Sequence, residues 1–209
     1  MTAMTIHPRV RRIVEEEWKL FDQVQNIGGR ASCQNSPDTF FVMRSSQIMA
    51  WSEAMQESYW NDLIAAAQQG RNLLTEKYAY MMARTSPTEF ARICSQLPAR
   101  LPEKDRLIDD ICAQSVVWQE QLAEQYPHLV GHGRAIRKET DSLYATSFET
   151  YLWGEQATYS LDTVELYHAY VRQLKTQGKN LCAMILQNTV QQLGYASLED
   201  AEVKAGGTS

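Results

Sequence analysis

Trp51-Ser52-Glu53-Ala54-Met55-Gln56-Glu57-Ser58-Tyr59-Trp60-Asn61-Asp62-Leu63-Ile64-Ala65-Ala66-Ala67-Gln68-Gln69-Gly70-Arg71-Asn72-Leu73 aligns without a gap on the later stretch from Tyr159 to Leu181. The two lie 108 positions apart and share Ser52/Ser160, Glu57/Glu165, Tyr59/Tyr167, Gln69/Gln177, Gly70/Gly178, Asn72/Asn180 and Leu73/Leu181. Seven identities in 23 positions compare with roughly one or two from ordinary composition, so the chain reads as an internal duplication. Phe40/Phe148 keeps the same offset, and Gly29-Arg30-Ala31 returns as Gly133-Arg134-Ala135 once about four residues are inserted in the second copy.

The repeated residues are helix punctuation. Ser52 and Ser160 suit N-caps, Gly70 and Gly178 supply a left-handed stop, and Asn72 and Asn180 each cap the next helix. Upstream, Val10, Ile13, Val14, Trp18, Phe21 and Val24 have the spacing of one helix face, opened by Pro8 and closed by Gly28-Gly29. Ser36-Pro37-Asp38 reads as the start of a helix over Phe40 to Ala50, with Ser36 as N-cap. Downstream come a short helix from Ser86 to about Gln96, prolines at 98 and 102, and a long helix from about Glu103 to Tyr126. The segment from Pro127 to Ser142 reads as a loop; helices then run from about Ser147, from Ser160 to Gln177 and from Asn180 to Leu193.

No convincing alternating strand pattern occurs. The expected fold is all-α, a single helical domain over 1–202 of about nine to ten helices, built from two duplicated halves with approximate two-fold symmetry. The first repeat spans 8–84, connector helices 85–126 and the second repeat 127–195, with a frayed tail at 203–209.

Composition narrows the function classes. The 209 residues carry a net charge of −5 with a pI near 5.4, against a broad nucleic-acid-binding face, which needs clustered Lys and Arg. There is no 18-residue apolar run and no apolar stretch after the arginines of the first twelve positions, so neither a membrane span nor a signal peptide is expected. Cys33, Cys94, Cys112 and Cys182 are scattered without a Cys-x-x-Cys pair, as expected of reduced thiols in a cytosolic protein.

Several residues carry chemistry. In Asn26-Ile27-Gly28-Gly29-Arg30-Ala31-Ser32-Cys33-Gln34 adjacent glycines can align backbone N–H groups beside an Arg fork, a loop suited to an anion or carboxylate. The same residues also suit a plain glycine C-cap with a solvated Arg30. Gly133-Arg134 echoes the loop, so Arg30 and Arg134 are candidates to clamp one anionic group. Cys33, near Arg30 and before a helix start, is the candidate nucleophile, with a structural thiol as the alternative. Arg71 and Lys179, in the repeated Gln-Gly-Arg/Lys-Asn-Leu turn, could add charge to a shared pocket. Arg44 and Gln47 lie one helical turn apart, and Glu149 and Glu155 fall in the matching helix of the second copy. If those helices face each other, they form either a buried ion pair or a polar pocket wall. Glu165 and His168 have the i, i+3 spacing of a di-iron bundle, but position 60 of the first copy is Trp, so no metal site is assigned. Glu15-Glu16-Glu17 reads as a solvated face.

Trp18, Phe21, Val24 and Asn26 followed by Gly28 to Gln34, then Met43-Arg44 with Gln47, Gly70-Arg71-Asn72-Leu73 with Glu76-Lys77-Tyr78, and Ser147-Phe148-Glu149-Thr150-Tyr151-Leu152 resemble the bacterial domain-of-unknown-function family 4125 over about Glu15 to Ala201. The resemblance implies bacterial origin and directs attention to Gly29, Arg30, Cys33, Gln34, Arg44, Glu149 and Tyr151. Ile27 and His132 depart from it, standing where an acidic residue and an arginine are expected. The resemblance leaves any cofactor unknown.

Two functions from different classes are consistent with these residues. One is a cleft between the repeats for a small anionic or amide-bearing ligand, with Asn26, Gly29, Arg30, Gln34, Arg44, Gln47, Arg71, Arg134 and Tyr151 around it and Glu149, Glu155 or Cys33 as chemical groups. The other is a non-catalytic helical module that binds a protein partner.

Overall fold

The structure, a computed structural model, describes residues 5–25 and 29–207. Among them are eleven α-helices and no β-strand. In chain order they are α1 (Pro8–Asp22), α2 (Pro37–Met49), α3 (Glu53–Gln68), α4 (Leu73–Thr85), α5 (Pro87–Ile93), α6 (Pro102–Gln125), α7 (Pro127–Gly131), α8 (Phe148–Ala157), α9 (Leu161–Thr176), α10 (Leu181–Gln192) and α11 (Leu198–Gly206). Short 3-10 turns occur at Ser32–Asn35, Cys94–Gln96 and Lys138–Thr140.

The capping chemistry sets these boundaries. Ser52 Oγ accepts the Met55 N–H at 3.3 Å and Ser160 Oγ the Thr163 N–H at 3.2 Å. Gly70 and Gly178 both take φ +66°, the left-handed conformation that lets a helix end without Cβ strain. Asn72 caps α4 through its carbonyl while its amide reaches back to the Leu20 carbonyl of α1 at 2.9 Å; Asn180 caps α10 and reaches the Trp118 carbonyl of α6 at 3.0 Å.

The packing repeats the same scheme. α1 lies on α2, α3 and α4, and α6 lies on α8, α9 and α10 in the same roles; α3 faces α9, while α2 packs on α10 and α4 on α8. α6, a connector by sequence, therefore stands where α1 stands in the first half. Trp51, Tyr59, Tyr159 and Tyr167 meet at the α3–α9 crossing, with ring centroids 4.8 to 6.1 Å apart in tilted and edge-on geometries. Ile13, Val14, Ile48, Met55, Ile108, Ile111 and Val164 fill the core around them.

Three elements differ from the sequence-based expectation. α1 stops at Asp22, before the glycines, because the Gln34 amide donates to the Phe21 and Val24 carbonyls at 2.9 Å each and satisfies the helix end from the side. Pro127 starts α7 inside the segment read as a loop, since proline suits a first helical turn as well as it ends a previous helix. Finally, α11 continues to Gly206, past position 203, where the tail was expected to begin; Ser197 caps it and Leu198 and Ala201 bury its inner face.

Candidate functional site

α1, α2, α4 and α8 each send one charged residue into their common interface. Glu17 on α1 accepts Arg44 Nη2 at 2.5 Å and Nε at 2.8 Å, with Tyr59 Oη at 2.7 Å. Glu155 on α8 accepts Arg44 Nη1 at 3.0 Å, Gln47 Nε2 at 2.8 Å, Tyr159 Oη at 2.7 Å and Lys77 Nζ at 2.5 Å. All four charged side chains are at most 8% exposed. Burial alone would raise the Glu155 carboxyl, but Arg44 and Lys77, with the Lys77 and Tyr159 hydrogen bonds, overcome it and hold Glu155 well below the usual carboxylate range. Burial pushes the Tyr59 and Tyr159 phenols well above theirs, beside Glu17 and Glu155 respectively, so both remain donors.

A cavity of about 480 Å³ opens against this cluster. Arg44 and Lys77 reach it from the cluster, Phe21, Phe40, Met43, Leu74, Tyr78 and Tyr151 give it apolar and aromatic walls, and Ser32, Cys33, Ser36, Thr39 and Arg134 line the rest. Tyr151 carries two cations: Lys77 Nζ lies 3.6 Å and Arg134 Cζ 4.6 Å from its ring centroid. Burial raises the Tyr78 phenol, and Tyr151 and Cys33 close by raise it further. Ser36 holds the N-cap position of α2 without a side-chain cap hydrogen bond and lines the cavity. Arg134 donates to the Thr146 carbonyl at 3.2 Å, and among the described residues no carboxylate pairs with it.

One family, described as "Protein of unknown function (DUF4125)", matches residues 9–203. The chain belongs to that family. No curated protein and no solved structure matches it. For this family member the cavity is therefore read from its own residues.

The structure gathers Arg44, Gln47, Glu155, Cys33, Arg134 and Tyr151 in or against the cavity and disperses the other candidates. Arg30 and Arg134 do not converge. Arg30 pairs with Asp22, donates to Asn35 Oδ1 at 2.9 Å and to the Gln34 carbonyl at 2.6 Å, and lines a separate groove with Asp22 and Val24. The two Gly-Arg-Ala segments also differ in shape. Ala31 leads into a 3-10 turn closed by Gln34 Oε1, whereas Ala135 and Ile136 accept from the first N–H groups of α8. Gln34, 2% exposed, therefore braces the wall. Gly29 takes φ +86° with open space around it, and Asn26 lies outside the described residues.

Glu149 does not line the cavity. It accepts the Lys138 N–H at 3.1 Å and pairs with Lys138 at 3.2 Å and Arg84 at 3.7 Å, which anchors the segment before α8. Glu155 is buried and takes hydrogen bonds from Arg44, Gln47, Lys77 and Tyr159, which joins Arg44 to Lys77 behind the cavity. Arg71 forms a two-pronged pair with Glu76 at 2.7 Å, on the side of α4 that faces another groove. His168 faces Asp110 of α6 at 3.5 Å, and among the described residues no three metal-ligating side chains come together.

Glu17, Lys77, Tyr78 and Tyr159 were not among the sequence candidates. Glu17 occupies the apolar register of Ile13, Val14 and Phe21, and Lys77 that of Leu73, Leu74 and Met81. A charge in a core register was the available signal.

Proposed function

We propose that this protein binds a small anionic molecule with an apolar body in the cavity between the Ser32–Asn35 turn, α2, α4 and α8. The observation that carries the reading is Arg134, a cation set over Tyr151 at the cavity wall and paired with no carboxylate among the described residues. The volume suits a small ligand, Ser32, Ser36 and Thr39 bring hydroxyls to its lining, and the first turn of α2 leaves backbone N–H groups without helical partners. The buried Glu17–Arg44–Glu155–Lys77 cluster makes one wall rigid, which reduces the ordering cost of binding.

The two halves are proposed to descend from one duplicated helical unit, supported by the matching bounds of α3 and α9, the Ser52/Ser160 and Asn72/Asn180 caps and the packing partners. The four thiols are unpaired, which fits a reducing compartment such as the cytosol; among the described residues no helix is long and apolar enough to cross a membrane. An interaction module finds support in Leu143 and Tyr144, 65% and 94% exposed at one turn.

Thermal-shift screening of wild type and Arg134→Ala against small aromatic and aliphatic anions tests the ligand reading. The expected result is a compound that raises the melting temperature of wild type and leaves Arg134→Ala unmoved. A shift retained in the variant, or none with any compound, would count against it.

A further inference from the structure

We infer that the occupant of this cavity is a monoanion on a planar body, an aromatic or conjugated carboxylate, and not a phosphate ester. This rests on the cavity being a binding site, as proposed above. The charges that face it decide its class. Arg44 gives its Nε, Nη1 and Nη2 hydrogens to Glu17, Glu155 and Gln47, and Lys77 gives its ammonium to Glu155. Two cations and two carboxylates therefore cancel behind the wall. Arg134 is left as one net positive charge at the cavity. The carboxylate of Asp38, in the first turn of α2, belongs to a neighbouring groove with Arg11 and Lys19.

A dianionic phosphate would place a second negative charge against aromatic walls with no second uncompensated cation, which is costly in a partly desolvated site. A carboxylate matches the single guanidinium, whose fork binds two oxygens. The hydroxyls of Ser32, Ser36 and Thr39 supply neutral donors at the rim. The aromatic lining favours a planar body: Phe21 and Phe40, whose rings stack on each other at 4.9 Å between centroids, line one part of the cavity, and Tyr78 and Tyr151 on α4 and α8 another.

Cys33 makes the inference measurable. It is exposed and lines the cavity, whereas Cys94 is exposed elsewhere and serves as an internal control, and Cys112 and Cys182 are buried. Three probes of similar size isolate the charge: trans-cinnamate, its neutral amide trans-cinnamamide, and phenyl phosphate. Alkylation of Cys33 and Cys94 by iodoacetamide is monitored by peptide mass spectrometry in wild type and Arg134→Gln, with melting curves to show that both are folded. The expected result is that trans-cinnamate slows Cys33 alone, at a concentration at least about tenfold below that of the other two probes. In Arg134→Gln that preference should fall to within about threefold. Equal or better protection by phenyl phosphate or the amide, or a preference that survives in Arg134→Gln, would overturn the monoanion assignment and leave the cavity standing as a site. No protection by any probe would overturn both.

Discussion

Glu155 takes hydrogen bonds from Arg44, Gln47, Lys77 and Tyr159, so removing its charge leaves the buried Lys77 without a carboxylate, while Arg44 keeps Glu17. Glu155→Gln should destabilise the fold by about 3–5 kcal/mol in urea unfolding at neutral pH. Because the folded carboxyl titrates below its unfolded value, its contribution is present above the unfolded pKa of about 4.3 and is lost as pH falls below it. Unfolding measured from pH 6 to pH 2 should thus show wild type losing stability steeply below about pH 4.3, with a shallower loss in Glu155→Gln. Arg134 sits at the rim, and Arg134→Ala should leave the unfolding free energy within about 0.5 kcal/mol of wild type. At this scale the sequence was partly legible. The sequence offers Arg44 and Gln47 against Glu149 or Glu155, as an ion pair or a pocket wall if their helices face each other, and the structure pairs Arg44 with Glu155. Glu17 is hidden in an acidic run that reads as solvated, and Lys77 stands in Glu76-Lys77-Tyr78, a string that stands out only for the family resemblance. Both occupy apolar registers, so periodicity weighed against charge would have placed them.

Gly154 is where α8 touches α4. A Cβ there would lie 2.5 Å from the Met81 side chain and 3.0 Å from the Lys77 carbonyl, so Gly154→Ala should cost about 1–3 kcal/mol, read from chemical denaturation. Gly70 and Gly178 have open surroundings but share the left-handed φ of +66°. Alanine at either should cost about 1 kcal/mol, by the same measurement and to a similar extent in each half. Helix starts and stops were readable because Ser, Asn, Gly and Pro act locally, within one turn of their own position. The end of α1 was not, because it is decided by Gln34, a tertiary partner beyond the glycines. The start of α7 was missed for a different reason: one proline can both close a helix and open the next.

Across the whole molecule α3 and α4 match α9 and α10 in caps, and the packing partners of α1 match those of α6, yet the polar cluster is one-sided. The positions 108 residues after Arg44 and Lys77 are Leu152 and Ile185, apolar residues that cannot hold a second charge pair. The all-helical architecture was legible from the repeat, but the repeat also pointed to converging Gly-Arg loops, and the structure instead builds its cavity mainly from the first half, with Arg134 and Tyr151 added from the second. The residues identical at the 108-position offset include the caps Ser52/Ser160 and Asn72/Asn180, whereas Arg44 and Lys77 have apolar residues at that offset. The most direct test is calorimetric titration of trans-cinnamate into wild type, Arg134→Ala and Arg71→Ala under one set of conditions. Binding by wild type and Arg71→Ala, with affinity at least about tenfold weaker in Arg134→Ala, is the predicted result. Unchanged affinity in Arg134→Ala, or a loss confined to Arg71→Ala, would contradict the assignment of this cavity as the binding site.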